Sequence, residues 1–322
     1  MPTNRALVVY LLAVGVALNT FGANAAVVVG APALGQTITA DSVSPSFAEL
    51  PLPEVPATLT APAPRAAYIL AHFWDAIDFR ADTLRSHNRA FMEQSLVNFF
   101  SLFPHAPADS LPSGIDRLLA RVAADSAALT LTLGIASEYL YAPDSPMRCE
   151  DYYIQFLEGY LRLPGLSEYS RLRPAYELEM ARKNRPGTIA TDFAYTDTNG
   201  ERHRLHTTPT TAERLLLLFY DPECARCAEA LDTLRQSPTL SRLIAAGRLT
   251  VMAVYTGRDR RLWSETKAPR QWIVAIDDSR IAERGLYDLA AMPALYLLDG
   301  HTKSVILKGA TLAEIEKAIA GD

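Results

Sequence analysis

Cys224 and Cys227, spaced C-x-x-C, are the residues whose type and spacing most directly imply chemistry. They lie in Leu215–Leu231, reading LLLLFYDPECARCAEAL. An apolar run of strand length, Leu215 to Tyr220, leads to a turn at Asp221-Pro222. The dithiol follows, then the helix-tolerant run Ala228, Glu229, Ala230 and Leu231. A thiol at the start of a helix faces unpaired backbone N–H groups and the positive end of the helix dipole, and both favour the thiolate. Thiol–disulfide exchange needs such a thiolate and a second thiol close enough to resolve the mixed disulfide. Cys224 is therefore the expected nucleophile, and Cys227, one turn along and more buried, the expected resolving thiol. The flanking charges oppose one another: Glu223 disfavours a thiolate at Cys224, and Arg226 favours it.

The rest of the chain must position this pair. Its 322 residues suffice for two domains, and the composition is globular, with 49% apolar residues and a formal charge of −5. No Lys/Arg-rich run accompanies that charge, which argues against nucleic-acid binding. Residues 1–26 carry Arg5, an apolar run from Ala6 to Leu18, and the small residues Ala23-Asn24-Ala25. This is the layout of a secretory signal peptide, with an apolar core shorter than the roughly 20 residues of a spanning helix. The chain is expected to be exported, to the periplasm or cell envelope. Three cysteines (Cys149, Cys224 and Cys227) are too few for a disulfide framework and suit redox chemistry better.

Residues 27–64, with Pro45, Pro51, Pro53, Pro56, Pro62 and Pro64, read as an extended linker. Residues 65–184 show helical periodicity throughout, beginning with Ile69, Leu70, Phe73, Trp74, Ile77 and Phe79, and are expected to form an all-α domain. Its aromatics Tyr139, Tyr141, Tyr152, Tyr153, Phe156 and Tyr160 read as core and boundary residues. Cys149 reads as a free thiol at a helix start. His72, His87 and His105 show no metal-ligand spacing. Pro186-Gly187 marks the boundary to residues 185–322. There a hairpin turns at Asn199-Gly200, and strands near 215–220, 249–255, 273–276, 294–298 and 304–307 are interleaved with helices. Helices are expected over 258–265, over 278–286, and from a cap at Thr311 to Ile319. This order describes an α/β domain, a mixed sheet flanked by helices.

With Cys224-Ala225-Arg226-Cys227 at a strand-to-helix turn and Met292-Pro293 opening a later strand, residues 185–322 resemble the thioredoxin fold. The hairpin at their start resembles the extension of exported TlpA- and ResA-type proteins, and the preceding helices resemble uncharacterised helical modules of bacterial envelope proteins. The resemblance implies a cis Pro293 facing the dithiol, Met292 and Pro293 as the substrate-docking strand end, protein thiol or disulfide clients, and a redox donor. It also implies a reductase. The sequence departs from the thioredoxin pattern at Glu223, usually tryptophan, at Arg226, usually proline, and at Leu218, which replaces a buried carboxylate.

A thiol–disulfide oxidoreductase without cofactor or metal is thus the leading expectation. A zinc site would need two more N or S ligands, and His203 and His206 on the hairpin are weak candidates. The alternative is an envelope interaction protein, its helical domain binding a partner and its dithiol a structural disulfide. A peroxidase is disfavoured because Asp221, three residues before Cys224, would repel a peroxide anion.

Overall fold

The computed structural model describes residues 49–320; the signal-like segment and residues 27–48 of the expected linker lie outside them. Its first half is helical: α1 (Pro62–His72), α2 (Thr83–Ser86), α3 (Arg89–Phe100), α4 (Leu111–Val122), α5 (Ser126–Leu140), α6 (Glu150–Arg162) and α7 (Glu168–Arg182). The starts follow from local chemistry. Asp82, Asn88, Asp125 and Ser167 each accept a first-turn N–H as N-caps. Pro62 opens α1, where a missing N–H has no intrahelical partner to lose. The helix therefore begins inside the stretch expected to be linker, and Leu50 is already buried in the helical core.

The helix expected over Ile69 to Phe79 stops at His72. Asp75 meets His72 Nδ1 at 2.8 Å, and Asp78 accepts the N–H groups of Arg80 and Ala81 at 3.0 Å each. The Asp78 bonds to backbone N–H groups turn the chain, and Phe73, Trp74, Ile77 and Phe79 reach the core from the turn. Phe99 collects Phe73, Trp74 and Phe103 around it, with ring centroids 5.3–5.6 Å apart. Tyr153, Phe156 and Tyr160 are buried in the same core, and Tyr139, Tyr141 and Tyr152 pack at its boundary.

Asp125 offers a test of this helical half. Its carboxylate accepts Ala128 N–H at 2.9 Å and meets His87 Nε2 at 2.8 Å. Asp125→Ala should cost about 1 kcal/mol in urea unfolding at neutral pH. The Ala128 N–H holds the Asp125 pKa below its ordinary value. A depressed carboxylate stabilises the fold above the unfolded pKa, so the difference should fade as pH falls through the folded one.

The second half runs β1 (Ala194–Asp197), β2 (Arg202–Arg204), β3 (Arg214–Tyr220), α8 (Ala225–Gln236), α9 (Pro238–Ala245), β4 (Leu249–Tyr255), α10 (Arg260–Ser264), β5 (Ile273–Asp277), β6 (Ala294–Asp299), β7 (Val305–Lys308) and α11 (Leu312–Ala320). The strands form one seven-stranded mixed sheet in the order β2-β1-β5-β4-β3-β6-β7. The β3–β4 and β4–β5 pairs are parallel and the others antiparallel. β3 is apolar on both faces, as a covered central strand must be. Leu216, Leu218 and Tyr220 pack into one core, and Leu215, Leu217 and Phe219 into the other.

No helix forms over 278–286, contrary to expectation; the chain there is a series of turns. The Asp277 carboxylate accepts the N–H groups of Ser279 and Ile281 at 2.6 Å each, and Arg280 takes a left-handed φ of 58°. Both compete with helix initiation. The expected cap at Thr311 is present as a reciprocal pair: Thr311 N–H donates to Glu314 Oε2 at 2.7 Å, and Glu314 N–H to Thr311 Oγ1 at 3.3 Å.

The two halves lie in one compact unit and meet along polar contacts. Lys183 Nζ donates to the Gly285 carbonyl at 2.8 Å, and Asn184 Nδ2 to the Leu286 carbonyl at 2.8 Å. The Tyr141 hydroxyl donates to Asp288 Oδ2 at 2.5 Å, and Arg148 Nη1 to the Gly309 carbonyl at 2.6 Å. Three of these bonds fall on Gly285–Asp288, which leads into Met292-Pro293. The helical half thereby anchors the loop that approaches the dithiol.

Candidate functional site

Cys224 leaves the end of β3 through a turn that the sequence builds for itself. Asp221 Oδ1 accepts Glu223 N–H at 2.9 Å, and the Asp221 carbonyl accepts Cys224 N–H at 3.1 Å. Cys224 is then the N-cap of α8 and is half-buried. Its thiol completes no capping hydrogen bond. The pKa of Cys224 is nevertheless lowered, first by a hydrogen bond from the Cys227 side chain, then by the N–H groups of Cys227 and Arg226 and the Arg226 charge. Those two amides are the free donors of the first helical turn, so the helix start itself favours the anion.

Cys227 has the opposite environment. It is fully buried in a core with Leu218, Tyr220, Leu231 and Leu295. Burial pushes its thiol up to about 12, and the negative charges at Cys224 and Asp221 act in the same direction. One thiol is poised to ionise and the other kept protonated, which is the asymmetry stepwise exchange requires.

Met292 and Pro293 arrive from the other side. Phe219 pairs with Ala294 in the β3–β6 ladder, so Pro293 sits beside the end of β3 from which the dithiol turn departs. The Met292–Pro293 peptide is cis. Met292 is half-buried and packs against the core that holds Cys227, as Cys224 does. The structure therefore brings Cys224, Cys227, Met292 and Pro293 to one end of the sheet. Arg226 and Glu223 are both exposed. Arg226 acts on Cys224, whereas the charge of Glu223 is felt at the Tyr255 hydroxyl.

Two neighbours act on the dithiol site in ways the sequence did not assign. Asp221 is a carboxylate close enough to act on Cys227, while Leu218 is wholly buried. The signal for Asp221 was its place at the end of an apolar strand, just before the dithiol. Tyr255 pairs with Tyr220 across β3–β4 and lies within the fields of Asp221 and Glu223; only the strand register reveals it.

The hairpin histidines do not share a site. His206 Nε2 meets the Ala190 carbonyl at 2.7 Å. His203 instead lies with Asp197 and Glu201, their potential ligand atoms within 4.8 Å of one another. Asp197 is already engaged by the N–H groups of Asn199 and Glu201, on the outer hairpin of the sheet and away from the dithiol.

Comparison with known proteins places this geometry. A family described as a domain of unknown function (DUF5106) matches residues 34–184. No curated protein matches the chain. Among solved structures, a thioredoxin-like protein from Bacteroides caccae is 35% identical with a TM-score of 0.73, covering 85% of this chain and 99% of its own. The C-terminal domain of an uncharacterized protein from Bacteroides fragilis is 36% identical with a TM-score of 0.40, covering 42% of this chain and 98% of its own. With a mixed sheet, a dithiol at the start of α8 and a likeness over 85% of its length at that identity, the chain belongs to the thioredoxin-like proteins.

Proposed function

We propose that this protein is an exported thiol–disulfide oxidoreductase that works as a reductase of protein disulfides. The observation that carries the reading is the pairing of a half-buried Cys224, its pKa lowered at a helix N-cap, with a buried and protonated Cys227. The Cys224 thiolate attacks one sulfur of the client disulfide. A Cys224–client bond forms, and the client's other sulfur leaves as a thiolate that takes a proton from solvent. Cys227 then loses its proton and attacks Cys224 Sγ, expelling the second client thiol. Two electrons pass to the client, and the protein is left with a Cys224–Cys227 disulfide, which a thiol donor must reduce for another turn. Met292 and Pro293 border the path of the client sulfur.

Export is supported by the signal-like residues 1–26, and no helix among the described residues is long and apolar enough to cross a membrane. The reductase direction follows the resemblance to TlpA- and ResA-type proteins. It predicts a midpoint potential nearer the about −270 mV of thioredoxin than the about −120 mV of a strong oxidant. Equilibration with a glutathione or dithiothreitol buffer measures it.

The reading is tested by titrating the thiols. Iodoacetamide should alkylate reduced Cys224 with a midpoint below the about 8.5 of a free cysteine. The rate should fall about tenfold for each pH unit below that midpoint, and Cys227 should stay unmodified in the folded protein. Two thiols that ionise like free cysteine and do not cycle with each other would leave only a scaffold.

A further inference from the structure

The loop from Gly285 to Pro293 is held closely at its start and sparingly at its end. Tyr287 is 1% exposed, and its hydroxyl donates to the Thr191 carbonyl at 2.6 Å. Beyond Asp288 the chain leaves the core: Ala290 is exposed, and Leu289, Ala291 and Met292 are half-buried. Among the described residues, the one hydrogen bond on residues 289–292 runs from Ala290 N–H to Asp288 Oδ1, at 3.2 Å. Asp288 is therefore the last fixed point before Met292-Pro293. Its backbone N–H donates to the Tyr296 hydroxyl at 3.1 Å, which ties it to β6. Its other carboxylate oxygen accepts the Tyr141 hydroxyl, the bond that arrives from the helical half. Tyr141 and Asp288 both line a cleft of about 380 Å³ that extends to Pro293.

Tyr141 is itself firmly mounted. It is the C-cap of α5, and its ring stacks on Tyr153 of α6 with centroids 4.9 Å apart and planes 18° from parallel. The Tyr153 hydroxyl donates to Glu177 of α7 at 2.6 Å. Three helices thus fix one hydroxyl. Burial, with the Asp288 charge beside it, holds that hydroxyl protonated well above the ordinary tyrosine range, so it remains a donor at neutral pH.

We propose that Tyr141 is a positioning residue for the redox reaction. By fixing Asp288 it holds the stretch from Ala290 to Pro293 in place beside the dithiol, so the helical half completes the redox site. This role rests on the redox reading and adds to it. The dithiol supplies the chemistry, and a residue of the other half sets how a reacting sulfur is presented to it. Supporting groups of this kind act through geometry: a shift of about 1 Å far from the reacting atoms can cost about a hundredfold in rate. One lost hydroxyl among several anchors should cost less.

The experiment uses the full chain and a peptide disulfide. Tyr141→Phe should lower kcat/KM roughly tenfold. The iodoacetamide rate at Cys224 should stay unchanged, since no group that acts on its thiol is altered. Asp288→Ala should lose at least as much, and adding Tyr141→Phe to it should cost nothing further, as expected of two residues acting through one bond. Amide exchange at Ala290 should quicken in Tyr141→Phe while that of β3 holds. An unchanged kcat/KM overturns the proposal. So do losses that multiply in the double variant, an alkylation rate that falls with the reduction rate, or exchange that quickens throughout the sheet. Failure of the unaltered protein to reduce the peptide disulfide sinks the redox reading instead.

Discussion

Cys224→Ser should lower the rate of client disulfide reduction on the order of a thousandfold or more. Serine is nearly isosteric, so α8 keeps its N-cap and the fold should survive. What disappears is the anion: the N–H groups of Arg226 and Cys227 and the Arg226 charge act on a thiolate that a hydroxyl does not supply near neutral pH. Cys227 cannot substitute. Burial is the largest cause of its raised pKa and persists in the variant, so its thiol stays protonated near neutral pH and inside the core. Cys227→Ser should behave differently. Cys224 still attacks, one client thiol is released, and the mixed disulfide accumulates because nothing resolves it. Single-turnover mixing of pre-reduced protein with a peptide disulfide separates the two, showing no burst for Cys224→Ser and a burst without completion for Cys227→Ser. A normal rate in Cys224→Ser would leave the dithiol as a structural pair.

The asymmetry of the two thiols was half legible in the sequence. The apolar run into Asp221-Pro222 and the helix formers after Cys227 place Cys224 at a helix start, and a helix start alone favours a thiolate. The burial of Cys227 is harder to read, since it depends on Leu231 from its own helix and on Leu218 and Leu295 from two strands. Strands such as β4, whose apolar and β-branched residues announce themselves, fall where the pattern puts them. The failures have a common cause. At Asp78, and again at Asp277, short carboxylate side chains bind nearby backbone N–H groups and turn the chain where apolar spacing alone suggests continued helix. The cleft was not legible at all. It joins residues near 141–148 to residues near 288–311, and no local pattern encodes a contact across that separation.

The same distant contacts carry the largest expected stability effect, at Lys308. Its side chain is 2% exposed, and Nζ donates to the carbonyls of Met180 and Ala181 at 2.8 and 3.0 Å and pairs with Glu150 at 3.1 Å. Those carbonyls belong to the last turn of α7, where a cation is favoured; the Met180 carbonyl also accepts the Lys183 N–H at 3.2 Å. Burial lowers the Lys308 pKa and raises that of Glu150, and in each case the opposite charge works against the burial. Lys308→Met fills similar volume but leaves Glu150 with only Arg148, at 3.4 Å, and strips a donor from two carbonyls. The expected loss is about 3–5 kcal/mol in urea unfolding at neutral pH. Adding Glu150→Gln should recover part of it, because the stranded charge goes while the two carbonyls still lack the ammonium donor. The sign with pH is fixed as well. A carboxyl with a raised folded pKa costs least when protonated, so the gap between Lys308→Met and the unaltered protein should narrow as pH falls. A loss within about 0.5 kcal/mol, the range of an ordinary surface substitution, or a double variant worse than the single, would mean that this pair does not hold the helical half to the sheet. The loop before Met292-Pro293 would then be tied to the helical half by Tyr141, Lys183 and Asn184.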